Sequence, residues 1–546
     1  MNRYPTDSLN DMNFWHNEAE LISYCNGLYP DMFSGHDLTT NTSPIVSGDN
    51  QSDNMAPVGF NQVAAGQHIV PATGGGWTWG IIRRCNYFLV RYDQTPIIQS
   101  TKDLYAGEIR FFKCLEYFRL VKRFGDVPWY NKDITDINSP ELFAPRDSRI
   151  LVMDSVLADI NWAIEKLPAK SAAVRGRVNR DVALILKARI CLHEGTFRKY
   201  HGIQGYEKFL REAVNAANTL MTEGNYSLHT TGGPDMAYRN LFCTLNLDNV
   251  SEIIYFRKYD EALSVTTQIC RYMQDNSSEL SATKSLVDSY LCDDGKPISQ
   301  SPRFLGHDDL YTEMTNRDSR LTQTICCTTF PQFPGGTIDR PTIPGSNGAQ
   351  GIASCGYQLL KWWSDDMEEY MRSTNGIQDA PIYRFAEALL VYAEAKAELD
   401  ECDQAALDLS INKLRDRAGM PPMVISELVK DSQSDFPDVP VLIDEIRRER
   451  RVELAIEGLR YDDMMRWRAG KLFEKEVLGM KFVQSMYPTV EVGNHITVNG
   501  EGFITPYARS IPNGRVFDDT NDKMYYFPLP TEELVLNKNL TQNPGW

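Results

Sequence analysis

Glu445, Glu449, Glu453 and Glu457 recur every four residues, and on a helix that spacing lines four carboxylates along one face. Such a row could hold a cation, or supply the acid and nucleophile of a glycoside hydrolase. Hydrolase carboxylates face each other across a cleft, however, and here Arg448 lies three residues from Glu445, Arg450 three from Glu453 and Arg460 three from Glu457. The spacing therefore reads as a row of ion pairs. Other catalytic signatures are missing: there is no Gly-x-x-x-x-Gly-Lys phosphate loop, no His-Glu-x-x-His pair and no Gly-x-Ser-x-Gly elbow. The 8 histidines are scattered without ligand spacing, His193 among them, and read as structural. Asp518, Asp519, Asn521 and Asp522 offer oxygens for calcium but miss the EF-hand spacing and read as a solvated loop. Nothing in this inventory calls for a metal ion or a cofactor.

Aromatic residues in loops carry more. Trp77 and Trp79 follow the glycine run Gly74-Gly75-Gly76, at the point where a helix begins. Sugar rings present apolar C–H faces that pack on exposed aromatic rings, while their hydroxyls need amide, carboxylate or guanidinium partners. Asp49, Asn50, Asp53 and Asn54 supply such groups upstream. Tyr259, Arg271, Tyr272, Phe330, Phe333, Trp362 and Trp363 are further candidates, and as a group they point to carbohydrate, although any one of them could be core.

Helices are needed to position these loops. Phe111, Cys114, Leu115, Phe118 and Val121 form one stripe of a helix over 104–124, stopped by Gly125-Asp126-Val127-Pro128. A second amphipathic helix spans 148–167. Two alanine-rich pairs follow, 180–194 with 206–221 and 383–399 with 404–418, with Gly195 and Gly224 as terminators, and a long helix is expected over 441–467. Small residues such as Ala183, Ala213, Ala216 and Ala393 sit where the paired helices must approach. Segments 35–80, 293–358 and 487–524 are rich in Gly, Pro, Ser, Thr and Asn without helical period; loops that long are usually functional.

Charge and length narrow the classes. With 546 residues the chain can bury a large core, and 42% hydrophobic with 24% charged residues is an ordinary globular composition. Lys and Arg total 56 against 73 Asp and Glu, a formal charge of -17, which argues against nucleic acid as a partner. The 11 cysteines include no Cys-x-x-Cys pair and are expected to be buried free thiols. No apolar run is long enough to span a bilayer.

Four blocks, in order, resemble SusD/RagB-type outer-membrane lipoproteins. They are 106–128, ending Phe124-Gly125-Asp126-Val127-Pro128; 176–189, opening Gly176-Arg177-Val178-Asn179; 445–467, with Arg450-Arg451-Val452-Glu453-Leu454-Ala455 inside it; and 526–546, with Asn539-Leu540-Thr541-Gln542-Asn543-Pro544-Gly545. The resemblance implies an all-α dominated fold: a scaffold of tetratricopeptide-like helix pairs with long loop-rich insertions. It implies one SusD-like domain over 1–546, with halves at 1–260 and 261–546. It further implies a surface lipoprotein of the bacterial outer membrane, with a SusC-like TonB-dependent transporter as partner and a glycan as cargo, bound without cleavage. The family's lipid-bearing cysteine stands shortly before a stretch like Arg3-Tyr4-Pro5-Thr6-Asp7, so the anchor is expected upstream of residue 1. Carried over by position, Asp53, Trp77 and Trp79 fill the family's ligand roles in the first loop region, and Arg271 and Tyr272 those of the middle region. A glycoside hydrolase and a protein-binding scaffold are the alternatives.

Overall fold

The computed structural model describes residues 14–36, 43–136, 138–274, 280–327, 330–331, 337–338, 340–346 and 352–546. The Arg3–Asp7 stretch and Phe333 lie outside these residues. Helices dominate, and the described strands are short. The chain divides into two compact units, one of residues 1–33, 68–191 and 519–546, the other of 34–67 and 192–518.

The first unit is built on α1 (Gly80–Leu89), α2 (Gln99–Phe124) and α3 (Arg149–Lys166). Of the stripe anticipated on α2, Phe111, Cys114 and Val121 are fully buried and Phe118 nearly so, while Leu115 at its edge is half-buried. The helix stops at Gly125, whose φ of 73° suits glycine and whose N–H still reaches the Val121 carbonyl. Ser148 caps α3 by accepting from the Leu151 N–H at 3.3 Å. The chain's last stretch closes the end of α2: the Phe527 N–H donates to the Arg123 carbonyl (2.7 Å) and the Asn543 amide to that of Phe124 (3.1 Å). Those carbonyls have no partner inside the helix, so the Asn-Pro-Gly terminus acts as a C-cap supplied from a distance.

α4 (Arg180–Tyr200) carries the chain into the second unit, followed by α5 (Tyr206–Glu223). Gly195 does not end α4. It lets α5 approach, because a Cβ there would lie 2.7 Å from the Leu210 side chain and 3.0 Å from its backbone nitrogen. A short antiparallel pair, β1 (Ile253–Arg257) with β2 (Ala380–Arg384), leads into α6 (Phe385–Glu398), which packs on α5; Ala213 and Ala217 of α5 and Ala393 of α6 are buried. The expected helix over 404–418 is broken into α7 (Gln404–Leu409) and α8 (Ile411–Arg417). Ser410 takes φ -133° and ψ -90° between them while its hydroxyl donates back to the Ala406 carbonyl, the competition that makes serine a poor helix-interior residue.

The helix expected over 441–467 is also two, α9 (Val441–Glu453) and α10 (Arg460–Arg466). Ile456 and Gly458 adopt φ of 60° and 76° in the turn between them. Side chains take over the freed backbone groups: Asp49 accepts from the Ile456 N–H (2.8 Å), the Trp362 indole donates to the Ile456 carbonyl (3.1 Å), and the Lys361 ammonium donates to that of Ala455 (2.6 Å). Sequence periodicity could not show this, since the partners lie about a hundred or more residues away.

The carboxylate row is an ion-pair system, but a buried one that reaches across elements. Glu445 pairs with Arg448 at 3.3 Å as the spacing implied. Glu449 instead meets Arg320 and Arg415 (2.6 and 3.0 Å), Glu453 meets Arg384, Arg417 and Arg320 (2.7, 2.5 and 3.0 Å), and Glu457 meets Lys361 and Arg384 (2.8 and 2.7 Å). Arg450 turns to Asp463 and Arg460 to Asp53. Burial opposes ionisation of Glu453, but Arg417, Arg384 and Arg320 outweigh it and hold the carboxyl far below its ordinary 4.5; Glu457 and Asp463 are lowered in the same way.

Groups depressed in the folded state add stability that is complete above their unfolded values and is lost as pH falls. Asp49 is the reverse case, raised by burial to about 6, so the fold gains as it takes a proton. Urea midpoints should therefore peak between about pH 5 and 6 and fall steeply below about 4.5; an unchanged midpoint at pH 3.5 would show that the network contributes nothing.

All 11 cysteines are free, and only Cys243 and Cys402 are not fully buried. No described helix is long and apolar enough to cross a membrane.

Candidate functional site

The glycine run before Trp77 has a conformational purpose. Gly74, Gly75 and Gly76 take φ of 69°, 57° and 88°, a left-handed succession that side chains resist. Two arginines from the end of α2 fix this loop: Arg123 donates to the Gly75 carbonyl at 2.7 Å, and Arg119 reaches the Thr78 hydroxyl at 3.4 Å while paired with Glu116 at 2.6 Å. The turn delivers the two tryptophans onto the start of α1.

Trp77 points inward, 5% exposed, edge-to-face with Phe124 at 5.0 Å. Trp79 is half-buried, 5.3 Å from Trp77 at 86° and 5.1 Å from Tyr130 at 84°. Together these rings wall a pocket of about 250 Å³ that Ile82, Arg83, Asn86, Lys132, Leu142 and Glu533 also line. Arg83 and Asn86 stand four and seven residues after Trp79, one face of α1. Tyr130 arrives on a strap held by its own N–H donating to the Tyr117 hydroxyl (2.7 Å) and by the Asn86 amide donating to the carbonyls of Tyr130 and Lys132 (2.9 and 3.2 Å).

Those two bonds leave the Asn86 Oδ1, a buried acceptor, without a partner among the described residues. Arg83 is exposed, and among the described residues neither its guanidinium nor the Glu533 carboxylate makes an ion pair or side-chain hydrogen bond, nor do the Trp79 indole N–H and the Tyr130 hydroxyl find a hydrogen-bond partner there. Lys132 is paired with Glu141 at 2.5 Å. Burial, with Asp147 and Glu533 nearby, pushes the Tyr130 hydroxyl up to about 12, so it stays protonated and available to donate. Burial, with Glu532 beside it, raises Glu533 as well. The pocket thus pairs aromatic faces with uncommitted donors and acceptors, a set suited to a hydroxyl-bearing ring.

The other sequence candidates lie in the second unit. Asp53 is 7% exposed; it accepts from Arg460 at 2.7 and 2.9 Å and faces Arg451 at 3.1 Å. Although burial alone would raise it, the two guanidinia hold its carboxyl far below the ordinary range. Its setting is an enclosed ion pair, not the open loop that composition suggested. Arg271 is exposed and donates to the Ser373 hydroxyl at 2.7 Å, whereas Tyr272 is buried in the apolar core. Trp362 and Trp363 are fully buried and Tyr259 is 3% exposed, so these rings are core. Phe330 opens the short strand Phe330–Pro331.

A larger cavity of about 510 Å³ in the second unit has Lys284, Asp288 and His307 on its wall. With Glu313, Asp288 and His307 form a group close enough to share a cation, their ligand atoms lying within 4.8 Å of one another. The Lys284 ammonium already donates to Asp288 and lies 3.4 Å from the His307 Nε2, while Glu313 holds the Nδ1 at 2.6 Å. The positive charge that this group calls for is supplied by lysine.

Comparison with known proteins gives a consistent result. The model of the SusD family matches residues 252–546. SusD-like protein P2 of Formosa agariphila is 24% identical over 459 residues, covering 81% of this chain and 74% of that protein. Among solved structures, a SusD-like carbohydrate binding protein from Bacteroides fragilis NCTC 9343 superimposes with a TM-score of 0.75 at 22% identity, covering 97% of this chain and 100% of the other. A second SusD-like protein from the same strain gives 0.74 at 24% identity, with 100% of both chains covered. At these identities the structures establish a common fold.

Proposed function

The chain belongs to the SusD family, and we propose that it captures a glycan in the Trp79 pocket, does not cleave it, and passes it to a SusC-like TonB-dependent transporter at the bacterial outer-membrane surface. In this reading 1–546 works as one SusD-like domain of a lipid-anchored surface protein. The observation that carries it is the coincidence of a half-buried tryptophan face with uncommitted polar groups at Arg83, Asn86 and Glu533 in one pocket. A sugar ring placed against Trp79 would bury its C–H face and give its hydroxyls to those groups. Asp53 and Tyr272 enter as supports of the second unit's frame, and Arg271 as a surface contact outside this pocket. The first Bacteroides fragilis protein is itself a carbohydrate binding protein, which supports a carbohydrate as the cargo.

Carboxylates arranged for hydrolysis are not part of the proposal. The row on α9 and beyond is committed to arginine and lysine, and the Glu533 carboxylate on the pocket wall, unpaired among the described residues, would act as a hydroxyl acceptor. Incubating the protein with soluble starch, laminarin, xylan and galactomannan should retard it in at least one polysaccharide gel and release no new reducing ends. Sustained release from any of them would replace this reading with a glycoside hydrolase. Retardation by none would favour the protein-binding scaffold.

A further inference from the structure

The shape of the Trp79 pocket bears on which part of a glycan it takes, an inference that rests on the glycan reading above. A surface that binds the middle of a polysaccharide needs several ring faces turned the same way along a line, so that successive sugars stack as the chain passes. The rings here are set at right angles, 86° between Trp77 and Trp79 and 84° between Trp79 and Tyr130. Trp77 is almost wholly covered, so it closes the pocket instead of extending a platform. The volume of about 250 Å³ is small beside the ~300–1,000 Å³ usual for ligand sites. It is bounded by the buried Asn86 Oδ1 and by the oppositely charged Arg83 and Glu533, none of which has a side-chain partner among the described residues.

We infer that the pocket reads a single terminal sugar residue of a glycan, branch tips included, entering it end-on. The terminal ring lies against Trp79 with its edge toward Tyr130. Its outer hydroxyls meet the uncommitted polar groups, and the glycosidic bond points out of the pocket. A residue inside a chain carries a bond at both ends and would have to drive one of them into the wall formed by Trp77. Because the unpaired charges of Arg83 and Glu533 are opposite in sign, the pocket asks for a hydroxyl-rich ring and not for a particular ionic substituent.

The test is a titration of soluble starch, laminarin, xylan and galactomannan before and after partial acid hydrolysis, with non-reducing termini counted by methylation analysis, for the wild-type protein and Trp79→Ala. For any polymer that binds, capacity per gram should rise in proportion to termini, affinity per terminus should stay within about threefold, and the matching monosaccharide should compete. Capacity that is unchanged or falls on hydrolysis, with binding lost below a minimum chain length but still dependent on Trp79, would overturn end-on recognition and leave the glycan site standing. No binding to any of the four, or binding indifferent to Trp79→Ala, would instead remove the glycan reading and this inference with it.

Discussion

Replacing Glu453 with alanine is expected to lower the stability of the protein by about 3–5 kcal/mol, among the largest effects any single substitution in this chain should have. The carboxylate is fully buried and satisfies Arg320, Arg384 and Arg417 together. These three arginines arrive from α8, from the end of β2 and from a separate short helix, Ser319–Thr324, so one side chain joins three segments to α9. Removing it strands positive charge where water cannot reach, and the penalty comes from those unpaired cations more than from the attraction lost. The contrast is Glu401→Ala, which breaks a pair with Arg211 in which both side chains are exposed, 40% and 51%; solvent screens that pair, so its loss should barely move the urea midpoint. Urea denaturation of the two variants side by side reads the difference. Equal midpoints would mean that the buried network is no more important than a surface pair.

The second large effect concerns binding. Trp79→Ala should weaken glycan affinity at least about tenfold, since some ~60 Å² of indole face covered by a sugar at ~25 cal/mol per Å² amounts to about 1.5 kcal/mol. Trp79 is the informative position because it is half-buried, so alanine there should leave the fold intact. Trp77 is enclosed, and its truncation would create a cavity costing about 3–5 kcal/mol, confounding lost binding with lost structure. Tyr130→Phe keeps the ring wall and removes only the hydroxyl, so it should cost less than Trp79→Ala. If Trp79→Ala bound as well as the parent, the pocket would not be the glycan site.

Some of this was legible in the sequence and some was not, for identifiable reasons. The stripe on α2 and its stop at Gly125 follow from local spacing and glycine's access to positive φ, and both were readable. The breaks at Ser410 and at Ile456–Gly458 were not, because each depends on side-chain or backbone bonds that compete with the helix, and at Ile456 the competitors come from Asp49 and Trp362. The acidic row was rightly read as ion pairs, yet most of its partners came from other segments, since helical spacing identifies neighbours on one element only. The place of Trp77 and Trp79 after a glycine run marks them as candidates, and the structure sets both on one pocket wall; the spacing of Trp79, Arg83 and Asn86 is a further local signal, that of a shared helix face. Tyr130 and Glu533 had none: a fold that returns residue 533 to the neighbourhood of residue 79 cannot be inferred from either segment alone.

Calorimetric titration of the wild-type protein and Trp79→Ala with the same purified oligosaccharide, with the reaction mixture then assayed for new reducing ends, tests the central claim most directly. Saturable binding by the wild type, at least about tenfold weaker binding by the variant and no new reducing ends is the predicted result. Equal affinity in the two proteins, or a steady rise in reducing ends with the wild type, would contradict it.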